Sequence, residues 1–329
     1  MKKTIKVIIA VSTILLALST LTSCKKNKDV ELNSQRVIRL ADQPNYLPLK
    51  VAVTKGFFKD EFGDDFKFEL SSFVNGPAIN EAFIAGSLDF AQLGDTPIVQ
   101  AIANDVDIKI VASFWASDEA YGIVNRAGSP VQELKDLKGA KVGYRPGTNE
   151  HKLVLRYITS QGYTAKDVTL INVPAADALA TLVRGDIDAV IATQPTIEST
   201  AEAAGGKVLA YNKGYYTVAC YNAATGKFAR NNPDTLARIL KVIQKTEDWI
   251  YANQEEAYEI VAKYSGTTPD KVEQYWISRK WVTEWSPNYT LEVQDTADFA
   301  LSQGTISRKL DAKSFIDTSY LKKAGLKSE

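Results

Sequence analysis

The chain has 329 residues, 45% of them hydrophobic and 10% aromatic, with 39 Lys plus Arg against 39 Asp plus Glu and a single histidine. Balanced charge with no basic block in the body of the chain excludes the usual electrostatic signature of a nucleic-acid binder, while a body of this size can bury an ordinary apolar core. With only Cys24 and Cys220 available, a disulfide framework is excluded, and one histidine with no acid or thiol at ligand spacing argues against a metal centre.

At the start, Lys2, Lys3 and Lys6 precede an apolar run over 7–21 that is interrupted by Ser12, Thr13, Ser19 and Thr20 and closed by Leu21-Thr22-Ser23-Cys24. A membrane span needs about 20 mostly apolar residues. This run is shorter and ends in small side chains, so residues 1–23 are expected to be an export signal. The Leu-Thr-Ser-Cys box matches the bacterial lipobox, which makes Cys24 the expected lipidation site. Two or more acyl chains, at about 0.8 kcal/mol per buried methylene, would then hold the protein to the cell membrane on its extracytoplasmic side. Residues 24–36, polar and without periodic apolar positions, are expected to be a tether.

Beyond the tether the chain reads strand (37–41), polar loop (42–46), helix (47–54), then Gly56-Phe57-Phe58 and a second strand (66–70). A loop at Asn75-Gly76-Pro77 opens a helix, Gly86-Ser87-Leu88-Asp89 closes it, and a short strand stops at Gly94-Asp95-Thr96-Pro97. The same order returns later: strand 141–144, loop 145–149, helix 150–160, Gly162-Tyr163, strand 168–173. Pro174-Ala175-Ala176-Asp177 then opens a helix, Gly185-Asp186-Ile187-Asp188 closes it, and a strand over 189–192 ends at Thr193-Gln194-Pro195-Thr196. Repeated βαβ order with matching punctuation predicts an α/β protein of two similar lobes, each a mixed sheet flanked by helices. The expected boundaries are 37–123 for the first part of lobe I, 124–222 for lobe II, and 223–329 for a return to lobe I with C-terminal helices. Residues 121–124 and 218–221 are expected to be the two crossover strands and hence the hinge.

Ligands in open α/β sheets sit beyond the carboxyl ends of the strands, where helices begin and unpaired N–H groups favour an anion. Asn75, Gly76, Asp95 and Thr96 fall at such helix mouths, and Pro77 and Pro97 each suit a first helical position, where a missing N–H costs nothing. In the second half Gly147 permits close approach, Thr148 can cap the helix, Asn149 adds an amide, and Asp177 and Gln194 occupy the corresponding later turns. Gln43, Asn45 and Tyr46 offer two amides and a phenol in one loop. His151, on the first turn of a helix, is expected to donate to an oxyanion. Trp115, at a strand's carboxyl end, is expected to wall an organic tail. Arg279 has two readings, a counter-charge reaching the mouth of the site and, the safer for an arginine on a helix, a surface salt bridge; Cys220 reads as a small buried hydrophobe.

These residues in this order resemble the periplasmic and lipoprotein solute-binding proteins for aliphatic sulfonates, taurine and nitrate, a branch of the type II two-lobed binders. The resemblance covers nearly all of the chain after the tether. It is carried by Gly56-Phe57-Phe58, Gly76-Pro77, 85–89, 94–97, 136–143, Gly147-Thr148-Asn149, 176–178 and 185–189. It implies two lobes joined by two crossing strands and a small anionic organic solute between them, an aliphatic sulfonate first, with nitrate, taurine or a thiamine-precursor pyrimidine as alternatives. It also implies a permease and an ATPase as partners; apart from the resemblance, a monomer without a cofactor is expected. Gly147-Thr148-Asn149-Glu150-His151 departs from the Ser-rich turn of a sulfonate binder. An enzyme on the same fold, such as a desulfinase, is the rival reading. Such chemistry needs an activated nucleophile, and Cys220 lies far in sequence from His151, so a binder rather than an enzyme is expected.

Overall fold

The computed structural model describes residues 35–44 and 46–328, so the predicted signal, the lipidation site Cys24, most of the tether and the candidate contact Asn45 lie outside the described residues. Two mixed sheets organise the rest. The first contains β1 (Arg36–Asp42), β2 (Phe66–Ser72), β3 (Phe90–Gly94), β4 (Ile108–Ser117), β10 (Val218–Thr225) and β11 (Lys280–Trp281), in the order β11-β4-β10-β3-β1-β2. The second contains β5 (Tyr121–Asn125), β6 (Lys141–Tyr144), β7 (Thr169–Asn172), β8 (Ala189–Thr193) and β9 (Val208–Tyr211), in the order β7-β6-β8-β5-β9. β1 runs parallel to β3, and β6 runs parallel to both β7 and β8, while β5 and β10 pair antiparallel with their neighbours.

The repeated Gly-x-[Leu/Ile]-Asp motif does the same physical work in both halves. Gly185 ends its helix in the left-handed region at φ 80°, and Gly86 adopts φ 68° just past its helix, conformations that L side chains resist. Leu88 and Ile187 then plug the core. Each aspartate clamps the first strand of its own half: Asp89 accepts from the Arg39 N–H at 2.9 Å, and Asp188 from the Lys141 N–H at 2.9 Å. The return bonds match, with Asp89 N–H donating to Arg39 O at 2.9 Å and Asp188 N–H to Lys141 O at 2.8 Å.

The crossovers differ from the sequence expectation. Residues 218–221 sit inside the first sheet, paired on both sides, and residues 121–124 sit inside the second. The reason is legible in hindsight. Val218-Ala219-Cys220-Tyr221-Asn222-Ala223-Ala224 is buried throughout, as a central strand covered on both faces must be. The chain passes between the sheets at 118–120 and 212–217 instead. Asn212, fully buried, ties the two passages together: its Oδ1 accepts from Tyr121 N–H at 3.0 Å, and its Nδ2 donates to Ser117 O at 2.8 Å and Tyr216 O at 2.9 Å.

The C-terminal part supplies the 20-residue helix Pro233–Ala252, started by Asn232-Pro233-Asp234. Its Leu236, Ile239, Leu240 and Ile243 are wholly buried against the first sheet's core, and burying each stabilises by about 1.5–3 kcal/mol. The same helix buries Glu247, whose carboxyl accepts from the Thr283 hydroxyl at 2.9 Å while Oε2 has no partner. Burial pushes this carboxyl well above the usual range, against the opposing pull of the Thr283 hydrogen bond. A raised folded value means stability is lost as pH climbs from the unfolded glutamate range, about 4.3, toward the folded one. Glu247→Gln keeps the Thr283 bond and removes that loss. Its thermal midpoint is expected to exceed the parent's at pH 7–8 and to converge with it near pH 4; a lower midpoint at pH 7 contradicts the assignment.

Candidate functional site

The carboxyl ends of β1, β3 and β6 and the helix starts beside them meet at a small space of about 20 Å³. From the first half it is lined by Gln43, Tyr46, Asn75, Gly76, Gly94 and Pro97, and from the second by Tyr121, Arg145, Thr148 and Asn149, with Cys220 of β10 between them. Room for about one water needs 10–15 Å³, so the two halves are closed on each other.

The first-half loop is fixed from beneath. Lys50 is fully buried with its ammonium 2.5 Å from the Asp42 carboxylate, and it also donates to Gln43 O at 2.8 Å and Tyr46 O at 3.1 Å. Ser72 holds the other Asp42 oxygen at 2.5 Å. That anchoring presents Gln43 Nε2 to the Tyr46 hydroxyl at 2.9 Å, and the hydroxyl meets Cys220 Sγ at 3.1 Å. Asn75 caps its helix by accepting from Ala78 N–H at 3.0 Å, and Thr148 does so for Glu150 N–H at 3.2 Å. Pro77 lies within the first turn, as does Pro97 one position deeper, so neither wastes a donor.

Arg145 brings a cation to the space, but Glu150 claims part of it: the carboxylate accepts from the Arg145 backbone N–H at 3.1 Å and from Nη2. Burial pushes the phenols of Tyr46 and Tyr121 well above their usual value, so both stay protonated as hydrogen-bond donors. Cys220 is likewise driven up by burial, which keeps it a thiol. Beyond Arg145 the second half carries a larger hollow of about 390 Å³ that Arg145 also lines. Its walls are Val173, Leu179, Val190, Ile191 and Ala192, with Ser199 and Thr200 among its polar groups.

Of the residues singled out in the sequence, Gln43, Tyr46, Asn75, Gly76, Thr148 and Asn149 are brought together around this space. Gly147 lies at the seam beside it, where a Cβ would stand 2.9 Å from Gln100 and 3.1 Å from Pro77. The others are placed elsewhere. Asp95 is buried with both carboxylate oxygens engaged, by the Tyr216 hydroxyl at 2.6 Å and the Thr296 hydroxyl at 2.6 Å, and with Thr96 N–H also donating to it at 2.7 Å. The Thr96 hydroxyl turns to the same carboxylate. Trp115 is buried in the core, ringed by Tyr46 and Trp281, because its strand is central and covered. His151 packs at a tilt against Tyr144 and its Nδ1 accepts from Gly147 N–H at 3.4 Å, so that nitrogen is an acceptor and not the expected donor. Burial pushes its pKa down. Asp177 is exposed, its carbonyl accepting from the Thr181 hydroxyl, and Gln194 donates to Glu198 across an exposed turn. Arg279 is buried rather than a surface ion pair.

Sequence reasoning missed Arg145, Tyr121, Gly94, Pro97 and the wall position of Cys220. The signal for Arg145 was present: a cation at a strand's carboxyl end, immediately before a capped helix.

Two mixed α/β sheets closed over a polar space at their strand ends are the architecture of a two-lobed, type II periplasmic binding protein. The chain belongs to the NMT1/THI5-like family, whose model matches residues 43–257. It is 27% identical over 296 residues to a provisionally named aliphatic sulfonates-binding protein of Bacillus subtilis (strain 168), covering 87% of each chain. The crystal structure of the periplasmic aliphatic sulphonate binding protein SsuA from Escherichia coli shares the fold at TM-score 0.76 and 23% identity, over 86% of this chain and 98% of that one. The fold also serves an enzyme. The desulfurization enzyme DSZB superposes at TM-score 0.64 with 12% identity, over 88% of this chain and 99% of that one.

Proposed function

We propose that the protein is the extracytoplasmic solute-binding component of an ABC importer, closing over a small organic anion and delivering it to a permease and its ATPase. An aliphatic sulfonate is the first candidate, and acylated Cys24 is the proposed anchor. The observation that carries this reading is a small space at the strand ends lined from both halves by amide, phenol, hydroxyl and guanidinium groups. Donors converging from two bodies that can part and close favour capture of oxyanions. The hollow behind Arg145 has the volume and apolar walls for a carbon tail, which favours an organic over an inorganic anion. The names of the relatives agree with it. Binding without chemistry is supported by Cys220, the one thiol at the wall, which burial holds protonated beside Tyr46. His151 does not line this space.

The test is calorimetric titration of ligand-stripped protein with methane-, ethane-, butane- and hexanesulfonate, taurine, nitrate and sulfate. One solute per chain is expected. Affinity should rise about fourfold per added methylene while the tail enters the hollow, the equivalent of about 0.8 kcal/mol. No heat with any member overturns the reading, and nitrate binding as tightly as butanesulfonate moves it to an inorganic anion.

A further inference from the structure

The buried cationic side chains among the described residues are Lys50, Lys152 and Arg279. Lys50 faces Asp42 at 2.5 Å, and Lys152 faces Asp295 at 3.1 Å and Asp95 at 3.7 Å. Arg279 has no carboxylate within 4.0 Å among the described residues, although it is only 7% exposed. Its guanidinium lies 3.4 Å from the centre of the Tyr275 ring and 4.7 Å from that of Trp115, sandwiched in aromatic faces. Nη1 donates to Tyr275 O at 2.8 Å and to Ser278 Oγ at 2.6 Å, while Nε is buried without a partner. Nη2 carries the little solvent exposure the residue has. A guanidinium so largely withdrawn from water with no carboxylate beside it is expensive, which makes an anion nearby the group that would offset it.

The position of this cage gives the missing partner. Tyr46, which lines the space between the halves, packs with its ring centre 6.3 Å from Trp115 and 6.4 Å from Tyr275. Cys220, also on the wall, stands opposite Trp115 in the β4–β10 register. Arg279 is thus one aromatic layer behind the wall. Its charge is felt at the wall together with others: burial drives the Cys220 thiol and the Tyr121 phenol up, Asp95 adds to the rise at Cys220, and Arg279 opposes it at both, joined by Arg145 at Tyr121. Arg145, by contrast, is shared with Glu150.

We infer that Arg279 is the uncompensated charge that makes the closed space select an anion, the solute's negative head serving as its counter-ion across the Tyr46–Cys220 wall. This rests on the anion-binding reading above and names the residue that sets charge preference. Low-dielectric aromatic packing between the charges preserves their attraction, which water would screen.

The experiment compares the full chain carrying Arg279→Met and Arg279→Lys with the parent, titrating butanesulfonate and its uncharged analogue butanesulfonamide and recording the ligand-free thermal midpoint. The parent should prefer the sulfonate, Arg279→Lys should retain that preference, and Arg279→Met should lose at least tenfold of it. The ligand-free midpoint of Arg279→Met should stay level or rise, which a purely structural role would not allow. Arg279→Gln, able to donate to Tyr275 O, replaces the methionine variant if that one fails to fold. A full sulfonate preference in Arg279→Met or Arg279→Gln overturns the inference while leaving the function intact. A parent that binds no sulfonate overturns both.

Discussion

Replacing Lys50 with methionine is expected to lower folding stability by about 3–5 kcal/mol, because it strands the Asp42 carboxylate in the core. Both partners are fully buried, and for both the effect of leaving water exceeds the effect of pairing: the Asp42 carboxyl lies above its usual value and the Lys50 ammonium below its own. Without Lys50 the downward pull on Asp42 disappears and its folded value rises further. A carboxyl whose folded value is raised stabilises the fold below its unfolded value, about 3.9, and loses that contribution as pH climbs through the folded one. The deficit of Lys50→Met should therefore be smaller at pH 4 than at pH 7. Urea unfolding at both pH values measures it. A deficit under 1 kcal/mol at pH 7, or one that grows toward acid, would show that the pair is not what holds this region. Replacing both partners, Lys50→Met with Asp42→Leu, should recover most of the loss, since an apolar pair of similar volume can substitute for a buried ion pair. Binding should still suffer in the double variant, because Lys50 also holds the carbonyls of Gln43 and Tyr46 at the wall.

That coupling explains which parts of the site could be read in advance. The loop 43–46 was legible because its position after the first strand is a rule of α/β sheets, and Asn75, Thr148 and Asn149 because helix starts announce themselves through caps and prolines. The paired Gly-x-[Leu/Ile]-Asp motifs gave the duplication, and their aspartates turned out to clamp equivalent strands. What failed was anything set by which face of a buried strand points where. Trp115 ends an apolar run and looked free to face a tail, yet the edge strand β11, only two residues long and distant in sequence, covers it. Asp95 and Thr96 stand at a helix mouth as expected, but Tyr216 and Thr296 arrive from more than a hundred residues away to occupy that carboxylate. Arg279 reads as a surface group if it continues the helix before it, since an arginine on a helix usually is exposed, but that helix ends at Ile277 and Arg279 lies in the bend before β11. Its burial depends on Tyr275, four residues earlier, and on Trp115, which comes from across the fold and which spacing does not encode.

Gly94→Ala is expected to weaken solute binding by tenfold or more while leaving the ligand-free protein folded. Gly94 sits at φ −69° and ψ 161°, a backbone that alanine adopts without strain, so the substitution carries no local penalty and slightly restricts the unfolded chain. The obstacle lies across the seam. A Cβ there would stand 2.3 Å from Asn149 Oδ1 and 2.8 Å from its Cγ, well inside ordinary contact. Asn149 cannot simply swing aside: it is buried, its Nδ2 donates to Ala219 O at 3.3 Å, and its Oδ1 accepts from Thr96 N–H at 3.4 Å. The halves must then stop short of closure, and donors from one side lose their reach to a solute held by the other. Titration of Gly94→Ala, Asn149→Ala and the double variant tests this as a cycle. The alanine at position 94 should cost tenfold or more with Asn149 in place, about 1.4 kcal/mol, and little in the Asn149→Ala background, where the amide that blocks it is gone. Equal costs in both backgrounds would mean that Gly94 acts through something other than the approach of the two halves. A parent-like affinity in the single variant would mean that the solute is bound without the tight closure seen at this seam.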